Sequence, residues 1–561
     1  MTFTPMHRHV IAGSLLGGLI AITVAFPLAG ADRRMDGPAI AGQVSSAEEG
    51  PMEGVLVSAQ KIGSPISITV VSDEHGRFKL PPEKLSAGGY ALRIRAVGYD
   101  LDAPHTVAIP SPEAADLRLR LRKSEDLAVQ LTNAEWLMSM PGTAEQKRPL
   151  IECMSCHTLE RIVRSKFNAD EFAAVLRRMA NYANNTTMAR VQARVAEREI
   201  PDERVRKVAA YLATVNLSAG STWSYPLKTL ARPKGRATRI VITEYDLPRP
   251  TIAPHDVRTD RDGFLWYSNF VEPFLGRLDL RTGEHAEYAV PVLKPGSPTG
   301  ALALEPDEDG NWWLAQMFQG GLAKFDVRTK QFQLFPIPPE MNNDATQHSM
   351  VMPGRSHADG KVWTNEVSKQ AILRLDLATG RYESFEPFAG LDRGRTHSPY
   401  GLAADADNNL FFMDFGDESV GRVDAKTGAV TLYPTPTPNS RPRRTMLDSH
   451  GRLWFAEFAA NKVAMFDIKQ ETFKEWDAPT PHTYPYDVFL DKNGELWSGS
   501  MSSDRILRLD PATGAAIEYL LPRQTNIRRV FVDDTTTPVT FWAGNNHGAA
   551  IVKLELLDWR T

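Results

Sequence analysis

Between residues 38 and 123, apolar and polar positions alternate. Ile40 to Val44, Val55 to Ala59, Ser67 to Val71, Arg77 to Leu80, Tyr90 to Ala96 and Leu117 to Leu121 are short runs of this kind. A period of two is the mark of a strand with one buried face. Turn clusters such as Asp73-Glu74-His75-Gly76 and Ala87-Gly88-Gly89 separate them, so the segment predicts a small β-sandwich. The period then changes. Phe172, Val175, Leu176 and Met179 follow helical spacing behind Asn168, an N-cap residue with Glu171 three positions on, as in a capping box. Val205, Val208, Ala209 and Leu212 repeat the pattern after Pro201. Residues 125–217 therefore read as a small all-α domain. Residues 218–235, rich in Ser, Pro, Lys and Gly, read as a linker.

From 236 to 561 the pattern repeats. Leu265-Trp266-Tyr267, Trp312-Trp313-Leu314, Val362-Trp363-Thr364, Leu410-Phe411-Phe412, Leu453-Trp454-Phe455, Leu496-Trp497-Ser498 and Phe541-Trp542-Ala543 recur every 43 to 50 residues. Most are followed by a second signature, as in Arg277-Leu278-Asp279 with Thr282-Gly283 and Arg508-Leu509-Asp510 with Thr513-Gly514. A period near 45 with four short strands per repeat predicts a β-propeller, and seven central strings predict seven blades. The seventh repeat lacks its outer strand. Ile242-Thr243-Glu244-Tyr245-Asp246-Leu247-Pro248, ahead of blade one, has the form of that strand and is expected to close the ring. The fold class expected is thus multidomain and mainly β: a sandwich, a small helical domain, then a seven-bladed propeller.

Composition narrows the function. Lys plus Arg number 64 against 68 Asp plus Glu, a net charge of −4. That balance argues against nucleic acid as the main partner. Arg8 and His9 precede an uncharged apolar run from Val10 to Leu28, and Ala29 and Ala31 form an A-x-A-like cleavage site. Residues 1–31 read as an export signal, or, if uncleaved, as a membrane anchor. Either places the rest outside the cytoplasm, with the periplasm expected. Gly54-Val55-Leu56-Val57, Asp73 with Gly76-Arg77-Phe78, Gly89-Tyr90 and Gly98-Tyr99 resemble the carboxypeptidase regulatory-like domain across 38–123. That resemblance implies a transthyretin-like sandwich without catalysis of its own.

Both cysteines of the chain lie in Cys153-Met154-Ser155-Cys156-His157. C-x-x-C-H is the attachment signature of a c-type haem: two thiols add to the vinyl groups, and the histidine is placed to ligate the iron. Zinc would want a second ligand pair, which is missing, and a thioredoxin-like motif would want a βαβ setting. A structural disulfide is the remaining alternative. The stretch Cys153 to Leu212 resembles the small class of cytochrome c domains, with Asp202 to Thr214 in place of that family's C-terminal helix. Met179, at the end of an Arg-Arg-Met run, and Met188, beside Asn184-Asn185-Thr186-Thr187, are the two choices for the sixth iron ligand, and Met179 is preferred.

Pro254-His255-Asp256-Val257, Pro399-Tyr400-Gly401-Leu402, Leu453-Trp454-Phe455-Ala456-Glu457 and Asn461-Lys462-Val463 resemble the streptogramin (virginiamycin B) lyase family over most of 236–561. The resemblance implies a magnesium-assisted elimination that opens a cyclic lactone ester. It draws on His at the Pro-His-Gly-Ile position of two successive blades, a Glu two before one His, and the Glu of Trp-Phe-x-Glu. No blade keeps the set. His255 has Ala253 two before it and Asn269 at the Glu position. Glu457 has Arg443 at the His position. The next blade has Tyr486 and Ser500. Tyr and Arg are poor general bases near neutral pH. The same alignment collects two polar rings, starting near His255, Thr299, His348, Tyr400, Arg443, Tyr486 and Arg528 and ending near Asn269, Gln316, Glu366, Asp414, Glu457, Ser500 and Asn545. They are expected to meet at one mouth of the channel as a ligand or metal pocket, with His255, Glu366, Arg443, Glu457 and Tyr486 leading and His348, His357 and His397 as further ligands. Two functions follow. One is an exported cytochrome whose propeller binds a small molecule or a redox partner protein. The other is a carbon–oxygen lyase with an auxiliary cytochrome domain and magnesium at the propeller.

Overall fold

Four of the propeller repeats begin with an aspartate that ties its own tryptophan. The Oδ2 atoms of Asp260, Asp307, Asp448 and Asp491 accept hydrogen bonds from the indole Nε1 of Trp266, Trp313, Trp454 and Trp497 at 2.7, 3.1, 2.9 and 2.9 Å. The Oδ1 of Asp260 also accepts from the main-chain N–H groups of Asp262 and Phe264, so one side chain builds the turn and anchors the strand after it. The second signature is another turn. Asp279 accepts from the N–H groups of Arg281 and Thr282, and Gly283 takes φ +76°, a left-handed conformation costly for any side chain. These local devices explain why the sequence repeats as it does.

The structure, a computed structural model, describes residues 40–557 apart from 104, 346, 392 and 393. The expected export signal, residues 1–31, lies outside the described residues. Six four-stranded antiparallel sheets follow one another from Pro254 to Leu520. The seventh blade is made of Ile527–Asp533, Thr540–Asn545 and Ala550–Leu556, and its outer strand is Ile240–Asp246, paired from Ile240↔Leu556 to Asp246↔Ala550. The ring therefore closes with the strand that precedes blade one, as the repeat pattern implies. Trp313, Trp363 and Trp497, from the repeated strings, are fully buried between blades.

The N-terminal piece has two sheets around Val44, Val57, Ile68, Val70, Phe78, Tyr90, Leu119 and Leu121. The six strands read from the pattern are all present within one or two residues. Tyr99–Leu101, His105–Ile109 and the two-residue Gly50–Pro51 are additional. One of these sheets does not stop at the domain. Ile66–Val71 pairs with the far side of Ile240–Asp246, from Val241↔Val70 to Tyr245↔Ile66. The sandwich and blade seven thereby share one eight-stranded sheet, and the edge of blade seven is covered.

Five helices lie between: α1 (Asn133–Ser139), α2 (Ala144–Cys153), α3 (Glu160–Val163), α4 (Ala169–Ala180) and α5 (Asp202–Val215). The capping box holds at α4: Asn168 accepts from the Glu171 N–H at 3.0 Å, and Glu171 accepts from the Asn168 N–H at 2.8 Å. Pro201 stands at the N-cap of α5. The linker is pinned along its length. Trp223 Nε1 donates to Val163 O, the Lys228 N–H to Ser139 Oγ, the Leu230 N–H to Glu135, and Arg232 pairs with Glu49. Among the described residues no helix is long and apolar enough to cross a membrane.

Candidate functional site

The helical piece sits over one end of the propeller channel. The Ala134 N–H donates to Ser502 O of blade six. After α4, Asn184 donates to Gln347, Asn185 to Thr299 O, and Gln192 bonds both main-chain groups of Thr299. The C-x-x-C-H segment docks on blade seven. Asn526 Nδ2 donates to Met154 O at 3.2 Å, Arg528 Nη2 to Ser155 O at 2.7 Å, and His547 Nε2 to the same oxygen at 3.0 Å. One apolar cluster runs through the joint, from Leu150, Met154, Leu159, Phe172 and Leu212 of the helices to Phe270, Phe458, Tyr400, Tyr486 and Met501 of the mouth. Sequence reasoning places a binding mouth here; the fold covers it.

The innermost strands of blades one, four, five, six and seven each slip register near their start, between Pro254 and Val257, Pro399 and Leu402, Pro442 and Thr445, Pro485 and Val488, and Ile527 and Val530. A bulge re-aims side chains, and here neighbouring residues both reach partners across the channel. His255 Nδ1 bonds Asp256 Oδ1 at 2.6 Å, Tyr486 Oη lies 3.3 Å from His255 Nε2, and Tyr400 Oη lies 2.5 Å from Tyr486 Oη. Arg444 Nη2 reaches Asp256 Oδ1 at 3.0 Å. The Arg443 guanidinium stands 3.7 Å above the Tyr486 ring, with Phe415 and Phe458 at 4.3 and 4.5 Å, a set of cation–π contacts. Burial pushes His255 down to about 3, against the pull of Asp256, so the imidazole is neutral. Burial opposes ionisation of Asp256, but the Arg444 charge and the His255 bond outweigh it and hold Asp256 below its usual range. Neutral His255 with its Nδ1–H on Asp256 leaves Nε2 as an acceptor for the Tyr486 hydroxyl.

His255, Arg443 and Tyr486 thus meet in one cluster. Glu366 does not join it. Its carboxylate closes a turn, accepting from Ser368 N–H, Ser368 Oγ and the Lys369 N–H. Most of the second polar ring does the same: Asn269 accepts from the N–H groups of Ala253 and Val271, Asp414 from Ser398 and Gly416, Ser500 from Ser502 and Ser503, and Asn545 from Gly548. These side chains serve the hairpin turns, because buried N–H groups there need acceptors. Glu457 differs. It is fully buried, neither oxygen has a partner, and burial with Glu475 nearby pushes it up to about 8. Asp256, Tyr400, Arg444, Arg528, Asn526 and His547 complete the mouth beyond the leading candidates; the Pro that starts the inner strand of blades one, five and six, followed by Asp256, Arg444 or Asp487 two positions on, was the signal for some of them.

Cys153 and Cys156 are free thiols, partly buried, and burial pushes Cys153 up to about 12. His157 is buried, and its Nδ1 lies 2.9 Å from Thr158 O. That bond orients the ring and leaves Nε2 available, the arrangement an iron-binding imidazole would need. Two thiols, one oriented imidazole and an apolar lining fit a covalent haem. Met179 lies half-buried on α4, and Met188 is 52% exposed. His397, Asp414 and Asp417 bring three donor atoms within 4.8 Å of one another, but Asp414 is already held by His397 and two N–H groups, and Asp417 by Arg395. His348 points its Nδ1 at Asn365 O and leaves a buried Nε2 unpartnered. His357 lies 2.7 Å from Glu308, away from this cluster.

Residues 228–509 and 395–557 match the Virginiamycin B lyase family. The chain belongs to that family. Residues 39–122 match the Carboxypeptidase regulatory-like domain. A search of curated proteins finds no match. Among solved structures, a streptogramin B lyase shares 22% identity over 58% of this chain and 100% of its own, with a TM-score of 0.50. A virginiamycin B lyase from Staphylococcus aureus shares 20% over 56% of this chain and 99% of its own, with a TM-score of 0.48. These likenesses concern the virginiamycin B lyase propeller; residues 123–227 lie outside both family matches.

Proposed function

We propose that the chain is an exported, periplasmic c-type cytochrome in which residues 125–217 carry one covalent haem, and the propeller mouth beneath it binds the small molecule or redox partner protein with which the haem exchanges electrons. The observation that carries this reading is the docking of the C-x-x-C-H segment on blade seven, through Asn526, Arg528 and His547. Cys153 and Cys156 would hold the haem, and His157 would ligate its iron, with Met179 the preferred second protein ligand and Met188 the alternative. The group, when bound, supplies one-electron transfer. The chain's own residues fix where that happens. Two Ser155 O bonds and one Met154 O bond set the attachment segment against the mouth, and the shared apolar cluster keeps water from the joint.

The test is covalent haem. Protein co-expressed with cytochrome maturation machinery should keep its haem through acid–acetone extraction, and Met179→Ala should abolish the Met-to-iron charge-transfer band. Complete extraction of the haem would sink the reading. Loss of the band with Met188→Ala alone would move the sixth ligand there.

A second reading, a magnesium-assisted carbon–oxygen lyase, draws on the oriented His255–Asp256 pair, whose Nε2 has the lone pair of a base. Against it, Tyr486 occupies that lone pair. Opening of a streptogramin B ring that requires magnesium would favour this second reading.

A further inference from the structure

The mouth has two layers with different charge balance. Asp256, Arg444, Asp487 and Arg529, each one residue further along a bulged strand, meet Arg258 and Glu305 of blades one and two. Arg444 pairs with Asp256 at 3.0 Å, Glu305 with Arg258 at 3.0 Å and Arg529 at 2.8 Å, and Asp487 with Arg529 at 3.2 Å. Three carboxylates meet three guanidiniums. The layer that faces the helices contains His255, Tyr400, Arg443, Tyr486 and Arg528. Among the described residues, neither Arg443 nor Arg528 has a carboxylate at ion-pair distance. Arg443 reaches only Met501 Sδ, at 3.6 Å, and its buried Nε has no acceptor. Arg528 is 3% exposed and bonds Asn526 Oδ1 and Ser155 O, both neutral, while its guanidinium lies 4.4 Å from Phe270.

Nothing else in that layer offsets the charge. His255 is neutral, and burial keeps Tyr400 above its usual range and therefore uncharged. After desolvation, the groups acting most on Arg528 are Tyr486, Arg443, Tyr400 and Cys156, none of them a carboxylate. Aromatic faces compensate a cation only in part. The buried Arg528 guanidinium without an anion is costly, and the half-buried Arg443 beside it adds repulsion. The missing partner is an anion, and a planar fork of N–H donors selects a carboxylate. The rings of Phe270, Phe415, Phe458 and Tyr486 would suit a flat organic body.

We propose that Arg443 and Arg528 bind a carboxylate between the helical cover and the propeller mouth. This rests on the reading of the mouth as the haem-side binding site. The carboxylate has two sources, a propionate of the haem or a free aromatic acid, and the two behave differently.

The test uses the full-length protein with Arg443→Gln and Arg528→Gln, benzoate as the probe in calorimetry, and the haem midpoint potential as a second readout. If the ligand is a free acid, benzoate binds the wild type, and each substitution weakens it at least tenfold. If the ligand is a propionate, benzoate does not bind the wild type. Each variant's potential then falls and becomes pH-dependent between roughly pH 5 and 8, because the propionate loses the charge that kept it ionised. A chain that proves to carry no haem defeats the electron-transfer reading alone, since calorimetry still decides the free-acid arm. Benzoate bound equally by wild type and variants overturns the proposal. So does benzoate bound by none of them when the variants' potentials track the wild type or no haem is present. Should Arg443→Gln fail to fold, Arg443→Lys and Arg528→Gln carry the test. Lys keeps the charge but not the fork, so a binding loss smaller than tenfold is expected of it, and an unchanged affinity in both overturns the proposal.

Discussion

Glu457 shows how much one residue's surroundings decide. Its carboxyl is fully buried, without a partner, beside Glu475, and is raised to about 8. Between the ordinary value of 4.5 and 8, the folded state holds a proton that the unfolded state has released. Stability therefore falls as pH rises through that window, by about 1.4 kcal/mol per pH unit at the steepest. Glu457→Gln removes the titrating group and keeps the shape, so urea unfolding at several pH values should show a variant gaining on wild type from pH 5 to pH 8. Parallel curves would show that Glu457 is ionised in the fold. The partners of His255, Arg443 and Tyr486 were less legible than the three residues themselves. Strict alternation would send Asp256 and Arg444 away from the channel, and only the bulge at Pro254–Val257 and Pro442–Thr445 brings them in.

At the scale of elements, local signals translate directly. The Asn168–Glu171 capping box starts α4 where the sequence places it. Asn168→Ala should lower stability by about 1 kcal/mol, read as a shift of the denaturant midpoint with an unchanged slope; Asn168→Asp should restore it, because Asp caps as well. An unchanged midpoint in the Ala variant would mean the helix start is held by tertiary packing instead. The propeller strands were legible for a related reason. Each Asp–Trp pair and each Asp-x-x-Thr-Gly turn completes its hydrogen bonds within a few residues, so the motif carries its own structure. The polar ring of Asn269, Glu366, Asp414 and Ser500 was harder to interpret, since the same residue types serve turns and ligands alike.

Across the whole molecule, the strand Ile240–Asp246 joins two domains. It completes blade seven on one side and pairs with Ile66–Val71 of the sandwich on the other. A continuous ladder couples the unfolding of its two halves. Thr69 sits in the middle of this joint, opposite Ile242 and Ser58 and fully buried. Thr69→Pro removes a ladder N–H from an interior strand. Amide exchange should quicken both in Ile66–Val71 and in Ile240–Asp246. Quickening confined to the sandwich would show that the two domains open independently.

What the sequence by itself determined were features whose interactions close within a short span. These are the alternation of the sandwich strands, the 43-to-50-residue repeat and its turns, and the caps of α4. Tertiary structure alone decided which residues share the mouth, that the helices cover it, that the sandwich extends blade seven, and that among the described residues Arg443 and Arg528 stand without carboxylates while Arg444 and Arg529 do not. Those relations join positions far apart in the chain, such as Arg528 with Ser155, 373 residues away, or Arg444 with Asp256, 188 residues away. Local spacing carries no record of them, because they depend on how the closed ring and the docked helices bring distant strands together.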